Sequence, residues 1–151
     1  MPDTTNQIQD RVRAELLRAA TEALCHLAPA LPEDAGRRLL PSLYAGLSTA
    51  ELARETPEAI AAATASLWSF ARNRRPGEAL PRVIPPGRGN GPRVVAEIVT
   101  DDMPFLVDSA LAVLTTSGRV VRQLLHPPAF RPPTTRSTSR SRCPMSSVQG
   151  R

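Results

Sequence analysis

Arg93-Val94-Val95-Ala96-Glu97-Ile98-Val99-Thr100-Asp101-Asp102-Met103-Pro104 is the stretch that decides the fold. Its first eight residues are β-branched or apolar at nearly every position, which suits a strand covered on both faces rather than an edge exposed to water. The two aspartates and the proline end it. Either aspartate can cap the orphan N–H groups of a following helix, and Pro104 has the fixed φ and missing N–H tolerated in a first helical turn, so a helix is predicted from near Pro104. Phe105, Leu106, Ser109, Ala110, Val113 and Leu114 recur at three- and four-residue intervals and give that helix one apolar stripe. Gly118 is placed to take its left-handed C-terminal cap. Arg119 to His126 then restarts as a strand, so the whole reads as a β-α-β unit.

Upstream, the signals are helical. Ile8, Val12, Leu16, Ala20, Leu24 and Leu27 fall on one face of an amphipathic helix of about five turns. Asp10, Glu15 and Glu22 offset its arginines, so packing onto a neighbouring element is favoured over a membrane surface. Pro29 and Pro32 break it. Pro32-Glu33-Asp34 opens a second helix carrying Ala35, Leu39, Leu40 and Leu43, which Pro41 should kink or cut short. Ser48-Thr49-Ala50-Glu51 has the spacing of a capping box ahead of a third, very short helix. Thr56-Pro57-Glu58 caps a fourth, with Ile60, Ala63, Leu67 and Ala71 as its expected buried stripe and Trp68 as a core anchor. Arg72, Arg74 and Arg75 suit the C-terminal end of that helix, where cations meet the dipole, and a subunit contact is the sharper alternative. Pro76-Gly77 is a turn and Arg82-Val83-Ile84 a short edge strand. The loop from Pro85 to Pro92 is glycine-rich, yet a strand rather than a helix N-terminus follows it, so it is read as a hairpin or crossover connection and not as a phosphate cradle.

These 151 residues allow one domain of common size, and 41% hydrophobic content permits a core. Sixteen prolines and only 3% aromatic residues keep that core small and imply substantial irregular structure. Charge is segregated. All 14 acids lie at or before Asp108, whereas Arg131, Arg136, Arg140, Arg142 and Arg151 follow His126 unopposed, so the formal net charge of +5 belongs to the tail. A nucleic-acid reading of the basic balance would rest on that tail alone. Every basic residue is arginine, which fits the codon bias of a GC-rich genome better than a phosphate-binding surface. Cys25 and Cys143 form neither a metal spacing nor a disulfide framework. No apolar run approaches the length that spans a bilayer and no signal pattern opens the chain, so a cytoplasmic location is expected.

The run Val99-Thr100-Asp101-Asp102-Met103-Pro104-Phe105-Leu106-Val107-Asp108-Ser109, with His126-Pro127 beyond the second strand, resembles the N-terminal region of the large bacterial NAD-specific glutamate dehydrogenases. Leu43-Tyr44-Ala45, Leu67-Trp68-Ser69-Phe70 and Arg75-Pro76-Gly77-Glu78 stand in the order that family shows, so the likeness covers the chain from about Leu16 to Pro127. It implies an α+β chain in three parts: a helical N-terminal region of about four helices over 1–76, a partial ACT-like β-α-β module over 77–127, and a tail over 128–151. In that family the parent enzyme uses NAD to deaminate L-glutamate oxidatively to 2-oxoglutarate, in a distant C-terminal domain. None of that domain is visible here. The resemblance therefore implies a regulatory or assembly fragment that carries no catalytic, cofactor-binding or metal-binding residue of its own.

Its implied partners are other domains or subunits of the dehydrogenase, in a homo-oligomer, with no membrane and no nucleic acid. Other ACT modules hold an amino-acid effector at the loop between first strand and first helix, where glycine follows Asp-x-Pro. Here that loop is Asp101, Asp102, Met103, Pro104 and Phe105, continued by Asp108 and Ser109, and it is the candidate effector or interface loop. Phe105 in place of glycine would fill the space of a ligand. The three carboxylates are otherwise explained by the preference for negative charge near a helix N-terminus, and no base or oxyanion donor accompanies Ser109. Two further readings are a free-standing ACT-like amino-acid-binding module and a nucleic-acid-binding protein acting through the tail. The tail, Pro128 to Arg151, is rich in Arg, Ser, Pro and Thr, lacks acids and apolar periodicity, and is expected to be disordered. Its composition is also what a GC-rich coding sequence yields when read out of frame.

Overall fold

The computed structural model describes residues 4–87 and 92–127. Helices come first: α1 (Thr4–Leu27), α2 (Glu33–Leu43), α3 (Thr49–Leu52) and α4 (Pro57–Ala71). Strands β1 (Leu80–Ile84) and β2 (Val95–Val99) follow, then α5 (Leu106–Thr116). The architecture is thus a helical region followed by a two-stranded β unit and one further helix. The tail and the expectations attached to it lie outside the described residues.

Local chemistry sets the helix ends. The Ser48 hydroxyl accepts from the Glu51 amide, and the Glu51 carboxylate accepts from the Ser48 amide at 2.9 Å, which closes the capping box. Thr56 accepts from the Ala59 amide at 3.2 Å, with Pro57 in the first turn of α4. Gly118 adopts φ +70° beyond α5; its amide donates to Thr115, and the Arg119 amide reaches back to Leu114, the paired bonds of a Schellman cap. Pro41 lies inside α2, which ends two residues later at Leu43.

The core belongs to the helices. Leu24, Leu40, Leu52 and Ile60 are fully buried, one from each of α1 to α4, and Trp68 packs with them as an anchor. Thr64 is buried among them and donates its hydroxyl to the Ile60 carbonyl at 2.8 Å, which satisfies it within its own helix. Arg13 joins α1 to the α2–α3 connection, donating to the Tyr44 carbonyl at 2.6 Å and to that of Leu47 at 2.7 Å. On α4 the buried residues are Ile60, Ala61, Thr64 and Trp68, while Ala63 is exposed and Leu67 half-buried, so the stripe is rotated from the expected one. On α1 the face is present but its first turns overhang: Ile8 and Val12 are exposed, and burial begins at Leu17. Leu27, at the other end of that face, is exposed as well.

The strands pair antiparallel, with Leu80 opposite Val99, Arg82 opposite Glu97 and Ile84 opposite Val95. Those six residues are half-buried and share one face; Pro81, Val83, Ala96 and Ile98 occupy the other and are exposed. This corrects the expectation that the Arg93 segment is covered on both sides. The expected β-α-β unit is also corrected: Arg119 to His126 forms no strand, and β2 pairs with the strand before it rather than with one after α5. A consecutive antiparallel pair needs only a hairpin connection, whereas a parallel partner for β2 would need the crossover through α5.

Helix α5 begins at Leu106, two residues beyond Pro104, and buries no residue fully. Its half-buried face is Leu106, Val107, Ala110, Leu111 and Leu114, which leaves Ser109 and Val113 of the expected stripe exposed. No side chain caps it. Phe105 at the N-cap takes φ +62°, and the two aspartates expected there are engaged elsewhere or stand in solvent.

Candidate functional site

The loop from Asp101 to Phe105 joins β2 to α5, and its first residue is fixed by the chain before β1. Asp101 Oδ2 accepts the Gly77 amide at 2.6 Å, and Oδ1 pairs with the Arg74 guanidinium. Arg74 also donates to the Glu78 carbonyl at 2.7 Å, while the Glu78 carboxylate accepts the Arg75 amide at 3.1 Å. The turn after α4, in which Gly77 takes φ +79°, is thereby closed around one aspartate. Arg74 beside it, then the Gly77 N–H, hold the Asp101 carboxyl below its ordinary pKa, because both contacts favour the charged form. Asp101 is therefore a tie between two segments and not a helix cap.

The rest of the loop faces solvent. Asp102, Met103, Pro104, Phe105, Asp108 and Ser109 are all exposed, Phe105 to 77%. The Phe105 side chain projects from the loop instead of packing into it. Its backbone keeps a left-handed conformation that a bulky residue rarely adopts and that glycine adopts freely. The Leu106 amide donates to the Met103 carbonyl at 3.4 Å and that of Ser109 to Phe105 at 2.9 Å, so the loop closes on itself into the first turn of α5.

The structure thus brings Asp101 together with Arg74 and Gly77, while Asp108 and Ser109 stand exposed in the first turn of α5. Sequence reasoning placed Arg74 in a cationic cluster at a helix end and missed its partner, since nothing local links positions 27 residues apart. It also missed the charged pairs around the strands. Arg82 pairs with Glu97 directly across the hairpin, donates to Ser66 at 3.0 Å and lies 4.3 Å from the Phe70 ring centroid. Arg93 pairs with Glu55 at 2.5 Å. Of these, only Arg82 with Glu97 had a signal in the sequence, the opposite charges that an antiparallel register places face to face.

Elsewhere, a groove of about 840 Å³ lies along α1 and α2, lined by Ala14, Leu17, Thr21 and Cys25 and by the Arg18–Glu22 and Arg37–Glu33 pairs. Tyr44 lies in the core, where burial raises its phenol pKa. Among the described residues no cluster of three or more His, Cys, Asp or Glu side chains could hold a metal ion, and no helix is long and apolar enough to cross a membrane.

In a comparison with known families, residues 39–132 fit the family described as "Glutamate dehydrogenase, ACT1 domain". The matched span takes in the end of α2, α3, α4, both strands and α5. No curated protein and no solved structure matches the chain.

Proposed function

The chain belongs to the glutamate dehydrogenase ACT1-domain family, and from that premise we propose that it acts by contact, as a regulatory or assembly module of an NAD-dependent glutamate dehydrogenase in the cytoplasm. Oxidative deamination of L-glutamate is the work of the parent enzyme, with NAD bound in another domain. This chain's part is to dock against other domains or subunits of that enzyme within a homo-oligomer. In this reading residues 1–76 are a self-sufficient helical body and residues 77–127 the module that meets partners.

One observation carries the proposal. Among the described residues every buried apolar side chain lies at or before Trp68, whereas Val83, Val94, Ile98, Phe105, Val113 and Val120 are all more than half exposed. Apolar side chains left exposed in that number downstream of the buried core are the kind a partner covers. The loop residues Asp102, Met103, Pro104, Phe105, Asp108 and Ser109 flank it and form the proposed interface, with Asp101 holding the loop in place. Analytical ultracentrifugation of the chain alone and with the remaining dehydrogenase polypeptide tests this. Association weakened by Val83→Asp and by Phe105→Asp supports the reading; a monomer indifferent to both and to the enzyme refutes it.

The exposed loop backbone at Phe105, in its glycine-like conformation, favours a second reading as an amino-acid-binding module. Calorimetric titration with amino acids separates the two. Heat of binding lost in Asp102→Ala would establish the effector site.

A further inference from the structure

We propose that the β1–β2 hairpin is held on the helical body by an electrostatic latch and undocks as a unit when its ion pairs are screened, while the helical body stays folded. The observation is a contrast in what joins the parts. The buried core is drawn from the helices and their connections, and among the described residues no side chain of β1 or β2 belongs to it or to the half-buried apolar shell packed on it. What crosses instead is charged.

Three anchors make the latch. Arg93, just before β2, reaches Glu55 in the connection between α3 and α4, 38 residues back. Asp101, just after β2, takes Arg74 and the Gly77 amide beyond α4. Arg82, in the middle of β1, lies over the Phe70 ring of α4 and donates to Ser66, with Glu97 across the hairpin holding its guanidinium in that orientation. Both ends and the centre of the sheet are thus tied to the helices by arginine contacts. The segment that would turn on release is short, because β1 starts three residues after Gly77.

Such anchors respond to salt in the opposite sense to a packed core. Pairs near the surface weaken as the Debye length falls from about 10 Å at 0.1 M to about 3 Å at 1 M salt, whereas apolar burial is not weakened by added salt. An undocked two-stranded hairpin is marginal by itself, so its cross-strand amides should exchange once the latch opens.

Amide hydrogen exchange on the full chain at low and at about 1 M sodium chloride tests the latch across that range of screening. Exchange at the Gly77 amide and across β1 and β2 should accelerate several-fold with salt, while α4 from Ile60 to Trp68 keeps its protection. Arg93→Glu and Glu55→Arg should each reproduce the high-salt pattern at low salt, and the two together should restore protection. Hairpin exchange that ignores salt, loss of α4 protection in parallel with the hairpin, or a double variant as unprotected as its singles would each overturn the proposal.

Discussion

Asp101 accepts the Gly77 amide at 2.6 Å across 24 residues of chain, so the end of β2 is fastened to the turn that precedes β1. The carboxylate sits where a helix cap was expected and serves a tertiary purpose instead. Its lowered pKa has a definite consequence for acid. A carboxyl whose folded-state pKa lies below its unfolded value contributes above that unfolded value, about 4, and the contribution is lost as pH falls through the folded one. Protection of the Gly77 amide, corrected for intrinsic exchange, should hold from neutral pH down to about 4 and be lost progressively below it, as pH falls through the lowered folded-state pKa. Asp101→Asn should remove that dependence, and an identical acid profile in the variant would assign it to another group.

Placement of the core predicts a sharp divide between the two halves. Leu40→Ala and Ile60→Ala remove side chains that are fully buried, and each should cost about 2–5 kcal/mol in urea unfolding, as large-to-small core changes do. Val83→Ala and Val113→Ala alter exposed residues and should stay within about 0.5 kcal/mol. Comparable losses in both sets would mean that the hairpin and α5 share the helical core.

Much of this was legible in the residues, and the limit falls between local and tertiary chemistry. Ser48 with Glu51, Thr56 with Pro57, and Gly118 each act within one turn, so spacing alone reveals them. Trp68 was readable as an anchor because so large a ring rarely stays out of a small core. The buried face of α4 was harder. Alanine at 59, 61, 62, 63 and 65 makes several faces equally apolar, and the direction of burial is decided by α1, which packs against it. The β-α-β reading failed because two apolar segments flanking a helix fit that unit as well as they fit a hairpin partner upstream. Nothing between Asp101 and Gly77 announces their bond, and Pro104 drew the helix start too early. At the candidate loop the residue types were visible, but their exposure was not.

Phe105 is the only non-glycine residue at positive φ among the described residues, which gives a test of backbone strain. The left-handed conformation costs an ordinary residue about 1–2 kcal/mol, and a β-branched one more. Phe105→Gly should therefore leave protection at the Ser109 amide, which donates to the Phe105 carbonyl, equal or greater. Phe105→Val should lower it. A glycine variant that unravels the first turn of α5 would show that the aromatic ring, and not the backbone, holds the loop.

Arg13 supplies the last prediction, because its role is neither apolar nor on the surface. Its two Nη groups reach the Leu47 and Tyr44 carbonyls at 2.7 and 2.6 Å, in the connection between α2 and α3, where the helix end leaves acceptors without a helical partner. Tyr44 and Leu47 are themselves buried, so water replaces a lost donor poorly there. Arg13→Met keeps the stem and removes both donors, and it should cost about 1–3 kcal/mol. Arg13→Lys, with one compact ammonium in place of a planar fork, should fall between. The control is Arg18→Met on the same helix, where the exposed pair with Glu22 should contribute about 1 kcal/mol or less. Urea midpoints for the three variants decide it, together with exchange at the Leu47 amide, which donates to Tyr44 at 3.1 Å. If Arg13→Met is no more costly than Arg18→Met and the Leu47 amide keeps its protection, Arg13 does not tie α1 to the α2–α3 connection.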